Sequence, residues 1–89
     1  MSPKVIKVEP LKYYQLRLTF SNGEIRRFDV TPYLDKGIFT ELQSIDYFQQ
    51  VQLSFGSIQW PNEQDFSSDT LYLTSQPEEK TAIAPPTIT

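Results

Sequence analysis

The chain has 89 residues, a net charge of −3, no cysteine and no histidine. That length suits a single domain, one that buries only about 60–65% of its unfolded surface. The missing residues exclude disulfides, thiolate metal sites, the usual neutral-pH general base and every Ser-His or Cys-His nucleophile pair. The expectations are therefore no enzyme, no cofactor, no bound metal and a reducing, cytoplasmic location. No apolar stretch approaches the ~20 residues of a membrane helix, so no membrane contact is expected. Charge is uneven along the chain. Residues 1–30 carry six basic and three acidic groups, and residues 31–89 carry two and eight. A domain that binds nucleic acid over a broad surface is usually strongly basic, so only a small basic N-terminal face remains for such a role.

The first third reads as strands. Val5 to Glu9 is a short one, stopped by Pro10, which has no N–H for a ladder. Tyr13 to Phe20 alternates clearly, with Tyr14, Leu16, Leu18 and Phe20 on one face. Ser21-Asn22-Gly23 turns the chain, and Glu24 to Val30 returns. A two-residue Asn22-Gly23 turn would throw Phe28 onto the polar face. A three-residue loop with Gly23 as a bulge pairs Leu18 with Arg26 and Leu16 with Phe28. The bulged register keeps Phe28 and Val30 apolar-side and is preferred.

The middle reads as short helical turns. Thr31 is placed as an N-cap before Pro32, and Gly37 as a left-handed stop. Phe39, Leu42, Ile45 and Phe48 recur every three residues, with Ser44 capping the second turn. A second hairpin follows. With Gly56-Ser57 as a type II′ turn, Phe55 pairs with Ile58 and Leu53 with Trp60. Ser67 or Ser68 caps a last helix through Leu71-Tyr72-Leu73. The fold class is thus α+β: a curled antiparallel sheet of two hairpins plus short helical turns. Residues 1–74 form the domain, and the Pro-rich segment 75–89 reads as an exposed or disordered tail.

The ordered series Leu18-x-Phe20-Ser21-Asn22-Gly23-Glu24, Phe28-Asp29-Val30-x-Pro32-Tyr33-Leu34, Gly37-x-Phe39-x-x-Leu42, Phe48-x-x-Val51, Gly56-x-Ile58-x-Trp60-Pro61-Asn62, Asp65 and Asp69-x-Leu71-Tyr72 is specific in combination. It resembles a bacterial family known as domain of unknown function 2442, over about residues 4–73. The resemblance implies similarity to the N-terminal domain of a larger helix-turn-helix protein. It also implies a stand-alone member of a two-gene pair of toxin–antitoxin type. Nothing after Leu73 could make a helix-turn-helix here. The resemblance attaches no enzymatic activity.

Three groups of residues carry candidate functions, each beside a plainer reading. Arg17 and Arg27, with Tyr13 near them, form a basic face for an acidic partner or phosphate; basic residues on a sheet also prevent edge aggregation. Trp60, Asp65 and Tyr72 form a second candidate surface, although Trp60 as a core plug opposite Leu53 is the favoured reading. Asp29 reads as a strand-end carboxylate accepting turn N–H groups. The leading functional expectation is a non-enzymatic protein-binding module, antitoxin-like, its protein partner and oligomeric state unspecified. The alternative is a nucleic-acid accessory domain using the basic N-terminal sheet.

Overall fold

The computed structural model describes residues 2–78. The chain runs through β1 (Val5–Leu11), β2 (Gln15–Phe20), β3 (Ile25–Asp29), α1 (Ile45–Phe48), β4 (Gln52–Ser54), β5 (Ser57–Gln59), β6 (Asp65–Phe66), α2 (Ser68–Thr74) and β7 (Gln76–Pro77). The strands form two open antiparallel sheets, one ordered β1-β2-β3-β7 and the other β4-β5-β6. The class is α+β, and the two hairpins lie in separate sheets. Among the described residues, no helix is long and apolar enough to cross a membrane.

The β2–β3 hairpin takes the bulged register, with Leu16 opposite Phe28, Arg17 opposite Arg27 and Leu18 opposite Arg26. Phe20 N–H donates to the Glu24 carbonyl and Gly23 N–H to that of Phe20, both at 2.9 Å, while Gly23 sits at φ +90°. A left-handed residue at this point is what glycine supplies without steric cost. Strand β1 continues through Pro10 to Leu11 because it is a sheet edge, where a missing N–H is tolerated. The alternation from Tyr13 does not survive intact. Lys12–Tyr14 forms a tight turn and β2 begins only at Gln15.

The middle is a set of short helical turns: Thr31–Tyr33, Gly37–Gln43 and α1. Gly37 lies at φ +50°, and Ser44 caps α1 by accepting from Tyr47 N–H. Thr31 is not a cap. Val30 holds that position without a side-chain bond, and Asp29 Oδ1 accepts the Thr31 N–H at 2.9 Å instead. Ser67 caps α2 through the Thr70 N–H.

The β4–β5 hairpin differs from expectation by one residue. Leu53 faces Ile58 and Ser54 faces Ser57, so the loop is Phe55-Gly56. Phe55 at φ +49° and Gly56 at +80° give the type I′ signature rather than type II′. Leu53 is consequently 46% exposed, and it does not join the core. Trp60 lies beyond this ladder. Its backbone N–H closes the next turn onto the Gln64 carbonyl at 2.9 Å, which leads into β6.

The core forms where the two sheets meet. Leu16, Leu18 and Phe28 from the first sheet, Ile58 and Phe66 from the second, Trp60 from the turn between β5 and β6, and Leu71 from α2 are all buried. Phe66 is its aromatic hub, 4.9 Å from Phe28, Tyr33 and Phe39 and 6.1 Å from Trp60 between ring centroids. Edge-to-face and offset contacts at these separations add to simple burial.

The domain boundary at 74 is corrected by the last described residues. Ser75 is buried, and Gln76–Pro77 adds a strand to the β3 edge, with Arg27 opposite Gln76 and Arg26 opposite Pro77. The sequence suggested a tail because two residues carry no alternation; long-range partners recruit them. Arg26 faces the core side, opposite Leu18, and needs acceptors. It donates Nε to Ser75 Oγ and Nη2 to the Ser75 carbonyl, each at 2.7 Å. The tail expectation for 79–89 lies outside the described residues.

Two outcomes follow. Phe28→Ala should lower unfolding free energy by ~3–5 kcal/mol in denaturant titration, since it empties the contact between the sheets; a melt within a degree or two of the parent would contradict this packing. A chain ending at Thr74 should lose ~1.5–3 kcal/mol, because the Arg26 guanidinium then lacks its Ser75 acceptors. Unchanged stability would mean that β7 merely rests on the sheet.

Candidate functional site

The six sequence-proposed residues do not converge on one site. Trp60 is fully buried, donating Nε1–H to the Phe48 carbonyl at 2.9 Å. Asp65 is exposed beside a groove behind the β4–β5 hairpin. Neither presents a recognition platform.

Arg17 and Arg27 do stand side by side on the outer sheet face, but they are neutralised. Arg17 Nη1 meets Glu9 Oε1 at 3.1 Å, and Glu78 Oε2 lies 3.6 Å from Arg17 Nη2 and 3.2 Å from Arg27 Nη2. Glu9 is accordingly held below the usual carboxylate range, first by the Arg17 hydrogen bond and then by the charge of Lys7. The Arg17 guanidinium is pushed up by Glu9 first and Glu78 second. Both carboxylates come from elements outside the β2–β3 hairpin.

Tyr72 belongs to a third cluster. Its hydroxyl donates to Glu24 Oε2 at 2.6 Å, and Arg26 lies 4.8 Å over its ring while also donating to Glu24 Oε1 at 2.9 Å. The ring meets Phe20 edge-on. This arrangement ties α2 to β3. Glu24 is held low, chiefly by the Tyr72 hydroxyl with help from Arg26, and Tyr72 is pushed up, chiefly by Glu24 and then by burial.

Tyr13 occupies the remaining location, and it is the one that looks outward. The turn between β1 and β2 holds both Tyr13 and Tyr14 at φ +61°. Bulky residues in this region cost of order 1–3 kcal/mol each and persist only where the surroundings impose them. Tyr14 has structural reasons to be there. Its carbonyl accepts the Val30 N–H at 2.9 Å, its hydroxyl donates to the Gln43 carbonyl, and its ring packs on Phe48 at 5.3 Å. Tyr13 has none of these bonds and is 82% exposed. It forms one wall of a largely apolar groove of about 590 Å³, with Pro10, Leu11, Tyr14, Ile45 and Phe48 as the other apolar lining and Lys12 and Gln49 at its polar positions. Ile45 is half exposed within it. Sequence reading singled out Tyr13 but not Pro10, Leu11 or Ile45; only the packing of α1 against the β1–β2 corner unites them.

Among the described residues, no group of three or more His, Cys, Asp or Glu side chains assembles to hold a metal ion. The family described as protein of unknown function DUF2442 matches residues 5–77. The chain belongs to this family. The matched span ends at Pro77 and so includes β7, in keeping with the structural boundary rather than one at 74. No curated protein and no solved structure matches the chain.

The Glu24–Tyr72 bond gives a pH signature. A lowered carboxylate contributes stability above its ordinary value of 4.5, lost as pH falls through the folded value. A raised tyrosine contributes stability below its ordinary value of 10.0, lost as pH rises through the folded value. Melting temperature should therefore decline on both sides. Glu24→Gln should soften the acid limb, where Glu9 and Glu41 still act, and remove most of the alkaline one. An alkaline limb unchanged in Glu24→Gln would assign it elsewhere.

Proposed function

We propose that this chain is a non-enzymatic protein-binding module whose recognition site is the groove beside Tyr13. It acts by steric occlusion, in the manner of the antitoxin-like half of a two-gene pair. An apolar side chain of the partner polypeptide enters between Tyr13 and Ile45. The observation that carries this reading is the strained and solvent-exposed Tyr13, which makes no contact that the fold needs. Tyrosine is suited to such a position, since it offers a large amphipathic face at low cost in rotamer freedom. The neutralisation of Arg17 and Arg27 by Glu9 and Glu78 removes the main support for a nucleic-acid reading of the N-terminal sheet.

Tyr13→Gly separates fold from function. Glycine adopts the left-handed backbone freely, and this relief outweighs its extra unfolded-state entropy. The variant should gain ~0.5–1 kcal/mol, or about 2–6 °C in melting temperature. It should at the same time lose co-purification of the partner retained by the parent chain from the producing cell. A destabilised variant, or one that keeps the partner, would overturn the assignment of this groove.

A further inference from the structure

A second aromatic residue shows the same conflict with the fold, at the far end of β1. Phe55 is the first residue of the two-residue β4–β5 turn, held at φ +49° with its ring fully in solvent. The preferred residue there is asparagine, which tolerates the left-handed region and forms the favoured Asn-Gly pair. Phenylalanine gives up both that preference and the burial of its ring.

The turn is not a loose tip. Its Gly56 carbonyl accepts the Val5 N–H at 2.9 Å. The stem of Lys4 lies across it, with Cδ and Cγ 3.0 Å from where a Gly56 Cβ would stand. Lys4 is itself fixed, donating its N–H to Ser21 Oγ at 3.2 Å and accepting the Ser21 N–H at 2.7 Å. Phe55 therefore projects from a braced base, with the orientation that an anchor residue needs already set. Beside it, Leu53 is exposed two positions earlier in the chain and Ile6 follows the Val5 contact, also exposed. The Lys4 ammonium has no acidic partner among the described residues.

We propose that Phe55 is a docking anchor for a partner polypeptide, entering an apolar pocket whose rim carries a carboxylate that meets Lys4. An unpaired cation on the residue whose stem braces the Phe55-Gly56 turn selects an acidic-rimmed pocket by charge complementarity. An anionic lipid surface fits less well, because the chain as a whole is negative and a single lysine stands at the tip.

The test uses the full chain in its producing cell with Phe55→p-benzoylphenylalanine and ultraviolet cross-linking. One dominant polypeptide adduct is expected, its cross-linked peptide carrying Asp or Glu among apolar residues. Adding Lys4→Glu should lower its yield about fivefold, the upper range for an exposed charge pair. In parallel, Phe55→Asn alone should raise the melting temperature by roughly 2–6 °C. The proposal is overturned if Phe55→Asn melts lower, if lipid is the main adduct, if no polypeptide dominates, or if the yield ignores Lys4. Any of these leaves the Tyr13 groove standing, since that site is tested by Tyr13→Gly at the other end of β1.

Discussion

The buried side-chain amide of Gln64 holds the helical middle of this fold in place. Its oxygen accepts the Tyr47 hydroxyl at 2.6 Å, and its nitrogen donates to the Ile38 carbonyl at 2.9 Å and to Glu41 at 3.0 Å. Both amide protons and the oxygen are thus used, as a buried amide requires; leaving one unmade costs ~1–3 kcal/mol. Glu41 is fixed in turn by Asn62 Nδ2, at 2.9 and 2.8 Å from its two oxygens, and sits below the usual carboxylate range mainly for that reason. The elements so joined could not persist alone. A single turn of helix such as α1 and a two-residue strand such as β6 fall well short of independent stability. Tyr47 is the neighbour of Phe48, so the same bond that satisfies Gln64 also seats α1 against the β1–β2 corner. The apolar groove beside Tyr13 exists because of a polar network on the far side of α1.

Gln64 reaches that position through a turn that repeats an earlier one. At Phe20–Glu24 and again at Trp60–Gln64, an aromatic N–H donates to the carbonyl four residues on, and the residue before that carbonyl donates back to the aromatic. In each, the penultimate residue is left-handed: Gly23 at φ +90° and Glu63 at +73°. The first turn was legible because Asn22-Gly23 is a strong signal and because only the bulged register keeps Phe28 inside. The second was not, since Pro61-Asn62-Glu63 offers no glycine where the backbone turns left. The one-residue slip at β4–β5 has the same origin. By residue type Gly56 reads as the first turn residue, whereas it is the second, and Phe55 gives no hint of a left-handed backbone. Sequence reading of turns rests on residues with steric freedom, and it fails where tertiary contacts impose the conformation on others.

The sites were less legible than the fold, for a different reason. Exposed Tyr13 could be picked out by residue type, but whether a charge is free depends on distant partners. Arg17 meets Glu9 across β1–β2 and Glu78 from beyond α2, and Arg26 finds Ser75 and Tyr72 from the same distant segment. Alternation within the hairpin says which way these arginines point and nothing about what arrives to meet them.

Strain finally sorts these residues in a way that exposure alone does not. Four non-glycine residues among those described are left-handed: Tyr13, Tyr14, Phe55 and Glu63. For Tyr14 and Glu63 the fold accounts for the conformation, through the bonds to Val30 and Gln43 in one case and the turn bond to Trp60 in the other. For Tyr13 and Phe55 the turns set the backbone, yet no hydrogen bond engages the side chain, which lies in solvent. Both flank β1, a seven-residue strand about 23 Å long. That strand is braced at one end by the Gly56 carbonyl and followed at the other by the Tyr14–Val30 bond. Two rigid aromatic anchors at this separation lie within the footprint of one ordinary protein interface, about 800 Å² per partner. Such an arrangement lowers the ordering cost on binding, since neither backbone has to be fixed by the partner. The strain is carried by the folded chain in advance, at both ends of the edge strand.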